Sequence, residues 1–225
     1  MTCHGSRMGL FTLEHGKLAC LADFAVQGMA CVLLAGALVA WEPGDAFPRT
    51  GSLILAGLAA WTALEYGLHR FVLHGVQPFR GWHAEHHRRP AALIGTPTIV
   101  SAGLVAVFVF LPAAMLGGWL NAVAFTLGVS TGYLAYSVTH HALHHWHFRG
   151  AWFATRRRAH ARHHGASLPG SYGVTTAWWD WVFGSVATAG GSRRAVAGSS
   201  AGVPLKAAPR SRPTDLPSAG SRRRK

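Results

Sequence analysis

Long apolar stretches alternate with short polar, turn-forming ones along most of the chain. Four stretches, about 18–40, 51–72, 97–117 and 119–140, carry few charges, and each reaches the roughly 20 residues that a helix needs to cross a bilayer core. The connections "WEPGDAFPRT" at 41–50 and "GGWLN" near 117–121 are short and rich in turn formers, so the pattern predicts two helical hairpins. The first stretch exceeds the apolar core of about 7–15 residues found in a signal peptide, so it reads as a membrane helix. The expected fold class is therefore all-α: an integral membrane protein with four transmembrane helices in two hairpins and a histidine-rich helical cap on the cytoplasmic side.

Composition agrees. Half the residues are apolar and 13% are charged, against about 25% in soluble domains. A net charge of +13 would suit a nucleic-acid partner on a soluble domain. Here the basic residues sit in loops and tails, so they read as topology signals and no nucleic acid is expected. Only Arg49 of the 21 Lys and Arg falls in the short connections, which puts both termini and the 73–96 loop in the cytoplasm by the positive-inside rule. The preference for Arg over Lys points to a bacterial gene and an inner membrane. Cys3, Cys20 and Cys31 have no metal-type spacing and read as small apolar packers. Three segments result: 1–17, a short cytoplasmic N-terminal segment; 18–187, the membrane domain; and 188–225, a basic tail without aromatics or periodicity that reads as disordered.

Thirteen of the fifteen histidines fall between 69 and 164, and twelve of them form four groups. "HRFVLH" holds His69 and His74; "HAEHH" holds His83, His86 and His87. "HHALHH" holds His140, His141, His144 and His145; "HARHH" holds His160, His163 and His164. Residues at i, i+3 and i+4 share a helix face, so each His-x-x-His-His run presents three imidazoles to one locus, with Glu85 and Arg162 off that face. His69 and His74 are five apart, about 140° around a regular α-helix; they meet only if the helix unwinds or tightens near Gly75. So many imidazoles need a common cation to offset desolvation and mutual repulsion. Ten are too many for one ion and suit two; iron, zinc, copper and nickel all accept imidazole. Glu65, four residues before His69, and Asp180 in "YGVTTAWWDWVFG" are candidates to orient ligand rings. His4, His15 and His147 read as ordinary surface or interface residues.

The order H-x4-H, H-x2-HH, H-x3-H, H-x2-HH on two membrane hairpins resembles the fatty acid hydroxylase superfamily, which includes fatty acid 2-hydroxylases and sterol desaturases. The resemblance covers about 51 to 187, and "YGVTTAWWDWVFGS" is similar to the segment that follows the last motif in that superfamily. It implies a membrane-bound, O2-dependent non-haem di-iron oxidoreductase, most simply a hydroxylase of a fatty acyl chain. Its metal ligands would be His69, His74, His83, His86, His87, His140, His144, His160, His163 and His164. His141 and His145 form a second H-x3-H pair and leave the third motif's register open. The Thr-His-x-x-Leu-His pattern favours His140 and His144. Zinc outcompetes ferrous iron at such ligands, so zinc in a purified sample is compatible with an iron enzyme. The resemblance also implies a membrane lipid substrate. With no room here for a fused cytochrome b5 domain, a separate electron donor such as a cytochrome b5, a ferredoxin or a reductase is expected. Lipid desaturation, and oxidation of a sterol, hopanoid or carotenoid, are the alternatives within the superfamily. Outside it stand a metal-binding or metal-transporting membrane protein, which wants ligands and acids at mid-membrane, and a bis-histidine haem protein, which wants facing single histidines.

Overall fold

A computed structural model describes residues 14–165 and 170–187; the tail expected at 188–225 lies outside the described residues, as do Cys3 and His4. The chain is all-helical, with no strand among the described residues. Helix α1 (Lys17–Trp41) is followed by a 3-10 turn at Gly44–Ala46 and by α2 (Phe47–Gly67), which continues as a π-helical turn over Leu68–Leu73. Then come α3 (Phe79–Arg88), α4 (Thr98–Val105), a π turn at Ala106–Phe110, α5 (Leu111–Gly117), α6 (Trp119–His145), α7 (Ala151–Gly165) and α8 (Trp178–Val182).

Three helices are long and apolar enough to cross a membrane: Lys17–Trp41, Gly44–Leu73 and Thr98–Gly117. Their apolar residues stay uncovered by protein, as with Met115 at 86% and Leu116 at 90% exposure. The fourth expected segment is also one long helix, α6, but it is less apolar because it is the one the others pack around. Its buried face is made of small residues, among them Ala122, Ala124, Thr126, Gly128 and Gly132, and α2, α1 and α5 pack on it.

The tightest crossing is between α2 and α6. A Cβ added at Gly57 would overlap the Phe125 carbonyl, and one added at Gly128 would overlap the Ile54 carbonyl. Two backbones meet there with nothing between them, as small-residue helix pairs allow. Gly128→Val must push the helices apart, at a cost of about 3 kcal/mol or more. The expected sign is a lower unfolding temperature in detergent and loss of the monodisperse species; unchanged melting would mean that the crossing is looser than this.

The first hairpin is closed by Glu42, whose carboxylate accepts from Arg49 at 3.2 Å. At the other end of the bundle α3, α7 and α8 form a cap. There the segment before α1 is tied down by a β-bridge between Glu14 and Ile94 and by the Arg89–Glu14 ion pair at 2.8 Å.

A candidate metal centre of ten histidines

All ten histidines assigned by motif come together, in two groups of five. One holds His69, His74, His83, His87 and His163; the other holds His86, His140, His144, His160 and His164. Within each, one ring nitrogen per residue lies within 4.8 Å of all the others.

The π-helical turn answers the spacing of the first pair. Its i→i+5 hydrogen bonding sets residues five apart on one face, so the rings of His69 and His74 stack 5.4 Å apart. The helix end unwinds into the wider π turn, one of the two distortions that the spacing requires. Gly75 permits it, because a Cβ there would overlap the Phe71 carbonyl.

The triples differ from expectation: neither serves one locus. On α3, His83 and His87 (i and i+4) turn to the first group while His86 turns to the second; on α7, His160 and His164 turn to the second and His163 to the first. The i+3 residue sits about 60° around the helix from i and about 100° from i+4, enough to aim it at a neighbouring group. His87 and His164 stack at 4.2 Å across the boundary between the groups.

The nitrogens converge at hydrogen-bonding distance across the rings. His83 Nε2 lies 3.0 Å from both His69 Nε2 and His87 Nε2. His160 Nε2 lies 2.8 Å from His144 Nε2 and 3.1 Å from His164 Nε2. Two tautomers are set from outside: His69 Nδ1–H donates to the Tyr172 carbonyl at 2.5 Å, and His163 Nδ1–H to the Gly170 carbonyl at 2.9 Å. Their Nε2 lone pairs therefore point inward. Both ring nitrogens of His86 are buried without a hydrogen-bond partner among the described residues. Inward lone pairs and an orphaned buried imidazole are what a cation satisfies, and the donor set fits a transition metal of the imidazole-binding class.

Burial, and then the facing imidazoles, hold the cap histidines neutral, the form that binds metal. His86 is pushed down to about 2 and His87 and His164 to about 4. His163 falls to about 3 even with the Gly170 carbonyl pulling it upward. In a metal-stripped chain the unfolded state takes up protons near about 6.5, the folded state only near 4 at His87 and His164. The unfolded state then binds more protons between those values, so stability falls as pH drops through that window. The stripped chain is expected to melt lower at about pH 5 than at about pH 7.5; a flat profile would mean that the rings are already hydrated.

Neither carboxylate proposed to orient a ring touches one. Glu65 accepts from the Val174 N–H at 2.6 Å and from the Thr175 N–H and hydroxyl at 2.9 and 2.5 Å. Asp180 accepts from the N–H groups of Tyr172 and Gly173 at 2.9 and 2.8 Å and from the Ser185 hydroxyl at 2.8 Å. Both hold the 170–176 loop, and the loop's carbonyls hold the rings. Those backbone acceptors, Gly170 and Tyr172, went unread in the sequence. The signals present were Gly170 and Gly173; a Cβ on the latter would overlap the Thr176 carbonyl.

His141 and His145 belong to neither group. They pair with each other, ring centroids 4.5 Å apart, and His141 faces Cys20 and Phe24 of α1. His15 takes the interface alternative: Nδ1 lies 2.8 Å from Asp23 and its side chain is 14% exposed. His147 is exposed.

A cavity of about 490 Å³ opens between α1, α2, α4 and α6 and runs up to the imidazoles, with His69, His83, His86, His140 and His144 in its wall and Leu64, Leu104 and Phe108 along its length.

Against known proteins, the sequence profile of the fatty acid hydroxylase family matches residues 54–185, more than half the chain and all ten histidines. The chain belongs to the fatty acid hydroxylase family. It is 33% identical over 154 residues to dihydroceramide fatty acyl 2-hydroxylase FAH2 of Arabidopsis thaliana, covering 64% of each chain. It is 26% identical over 153 residues to human fatty acid 2-hydroxylase, covering 63% of this chain and 40% of that one. The chain thus spans less than two thirds of the length of these relatives. A solved structure described as full-length scs7p with only its hydroxylase domain visible shares the fold, with a TM-score of 0.67 at 24% identity over 76% of this chain and 67% of that one.

Proposed function

We propose that the protein is a membrane-bound, O2-dependent lipid hydroxylase acting on a fatty acyl chain. The observation that carries this is the pairing of two five-imidazole groups with an apolar cavity that ends on them. The hydroxylase names of its relatives support the same reading. The bundle sits in the bilayer with α6 as its fourth span, and both termini and the cap on the cytoplasmic side. The basic residues outside the spans support that orientation.

Each histidine group would hold one iron ion, the ten ligands being His69, His74, His83, His87 and His163 for one, His86, His140, His144, His160 and His164 for the other. Bound iron would supply reductive activation of O2, fed with electrons by a separate donor such as a cytochrome b5, a ferredoxin or a reductase. In the net reaction one oxygen atom enters a C–H bond of the lipid, and the other leaves as water with two electrons and two protons. The protein's part is positional. The 170–176 loop fixes the tautomers of His69 and His163, so their Nε2 atoms stay donors to metal. The cavity aligns an acyl chain from the bilayer against the imidazole wall and excludes water from it.

The test is lipid mass spectrometry on membranes holding the intact chain with a donor reductase and oxygen-18 gas. A lipid heavier by one labelled oxygen, absent from membranes without the chain, is expected. A lipid lighter by two hydrogens without label would move the activity to desaturation, and no change with iron loaded would end the lipid-oxidase reading.

A further inference from the structure

Two imidazoles and a thiol stand beside the ten-histidine centre and belong to neither of its groups. His141 and His145 lie one turn apart on α6, with their ring centroids 4.5 Å from each other. Facing them from α1 is Cys20, whose Sγ lies 3.9 Å from His141 Nδ1. All three line the cavity, and all three are only partly buried, so each has room to turn. Phe24 and Trp146 stand edge-on to His141, each with its centroid 5.5 Å away, and shield it on two sides.

A hydrogen bond between the thiol and His141 accounts for two of these residues. It gives no reason for the second imidazole, whereas histidines at i and i+4 on one helix face are a zinc-binding arrangement. A zinc ion uses all three side chains. With sulfur at about 2.3 Å and nitrogen at about 2.0–2.1 Å on a tetrahedral centre, the two donors stand about 3.6 Å apart, a few tenths below the Cys20–His141 spacing. The three donors converge less closely than those of the two five-imidazole groups. A side-chain rotation must therefore accompany binding, and the affinity is lower than at either group. Asp23, one turn after Cys20 and also in the cavity wall, offsets the net positive charge of a divalent ion held by one thiolate and two neutral imidazoles. The thiolate sets this donor set apart: it favours zinc, while imidazoles alone accept iron as well.

We propose that Cys20, His141 and His145 form a third metal site, separate from the two histidine groups, which binds zinc through one sulfur and two nitrogens and leaves its fourth position open to the cavity. Zinc held there joins α1 to α6 in the wall of the slot. Cys20 lies before residue 54, where the family match begins, so the thiol comes from outside the matched region and the imidazoles from within it.

The experiment is an anaerobic titration with cobalt(II) of the full chain in detergent, its thiols reduced and its two histidine groups already loaded with zinc. Cobalt takes zinc's tetrahedral ligands and, unlike zinc, absorbs light. Cobalt bound by imidazoles alone gives only weak visible bands, whereas a cobalt–thiolate bond adds an intense charge-transfer band in the near ultraviolet. That band is expected to appear and to saturate at one cobalt per chain, and excess zinc should abolish it. Cys20→Ser should remove the band and Cys31→Ser should keep it. His141→Ala should weaken the cobalt that gives the band at least about tenfold. No charge-transfer band from the intact chain in excess cobalt overturns the proposal. So does a band that survives Cys20→Ser, which would belong to another cysteine. Unchanged affinity in His141→Ala overturns it too, because the thiol would then be binding cobalt without the imidazoles.

Discussion

Replacing His163 by alanine is expected to leave no more than about one metal equivalent per chain in place of two, and to cut oxygen-18 incorporation into lipid by far more than the roughly hundredfold at most that losing an orienting partner costs. His163 is 2% exposed, its Nδ1 proton is held by the Gly170 carbonyl and its Nε2 lies 3.2 Å from His74 Nε2. The variant removes a donor from the first group and also strands the Gly170 carbonyl, itself worth about 1–3 kcal/mol. Elemental analysis of the purified chain reads the first effect and lipid mass spectrometry the second. His147→Ala, on an exposed histidine outside both groups, is the control and should retain both metals. Two metals held by His163→Ala would show that four imidazoles suffice at the first group and that this residue is no ligand.

The second large effect is expected from a residue that touches no imidazole. Asp180 is 1% exposed and accepts hydrogen bonds from two backbone N–H groups and one hydroxyl. Asp180→Ala leaves three donors without their acceptor, at a cost of about 3 kcal/mol or more. It also frees the loop whose Tyr172 carbonyl orients His69. Metal affinity should fall about 10- to 100-fold, the usual penalty for losing such support. Competition with a chelator measures it, and denaturant unfolding of the metal-free chain measures the structural part separately. Affinity within about twofold of the intact chain would mean that the loop does not set the ring. Asp180→Asn should fall between the two, because it keeps one acceptor oxygen but turns an NH2 toward a backbone N–H.

The helices were legible in the chain because each apolar stretch has the length its helix has, and the punctuation at Pro43, Gly44 and Gly118 falls where the helices end. That the ten histidines come together was legible too, from their four spaced groups. What the sequence hid was how they divide between two groups. A three-letter spacing says which residues share a helix face, but two centres side by side subdivide that face, so His86 parts from His83 and His87. That the helix must unwind or tighten near His74 was legible from the five-residue spacing; that it does so as a π turn over Leu68–Leu73 was not. The Gly170 and Tyr172 acceptors were hidden because every residue has a carbonyl and only the fold aims it. Glu65 was misread for a related reason: its position four before His69 suggested a local contact, yet its carboxylate reaches the loop more than a hundred residues on. His15 looked idle because its partner, Asp23, sits two turns into the next helix.

The division of the two triples has a kinetic side. Helices α3 and α7 each hand histidines to both groups, so a metal in each group would rivet each helix twice. Releasing one ion loosens a helix that grips the other, and capturing one ion aligns most of what the other needs. Filling and emptying should therefore be concerted: a chelator would strip both ions in one phase, and half-loaded chains would be scarce during reconstitution. A cell that makes this protein under metal starvation would then hold a mixture of empty and complete molecules, with total activity following the number of complete ones.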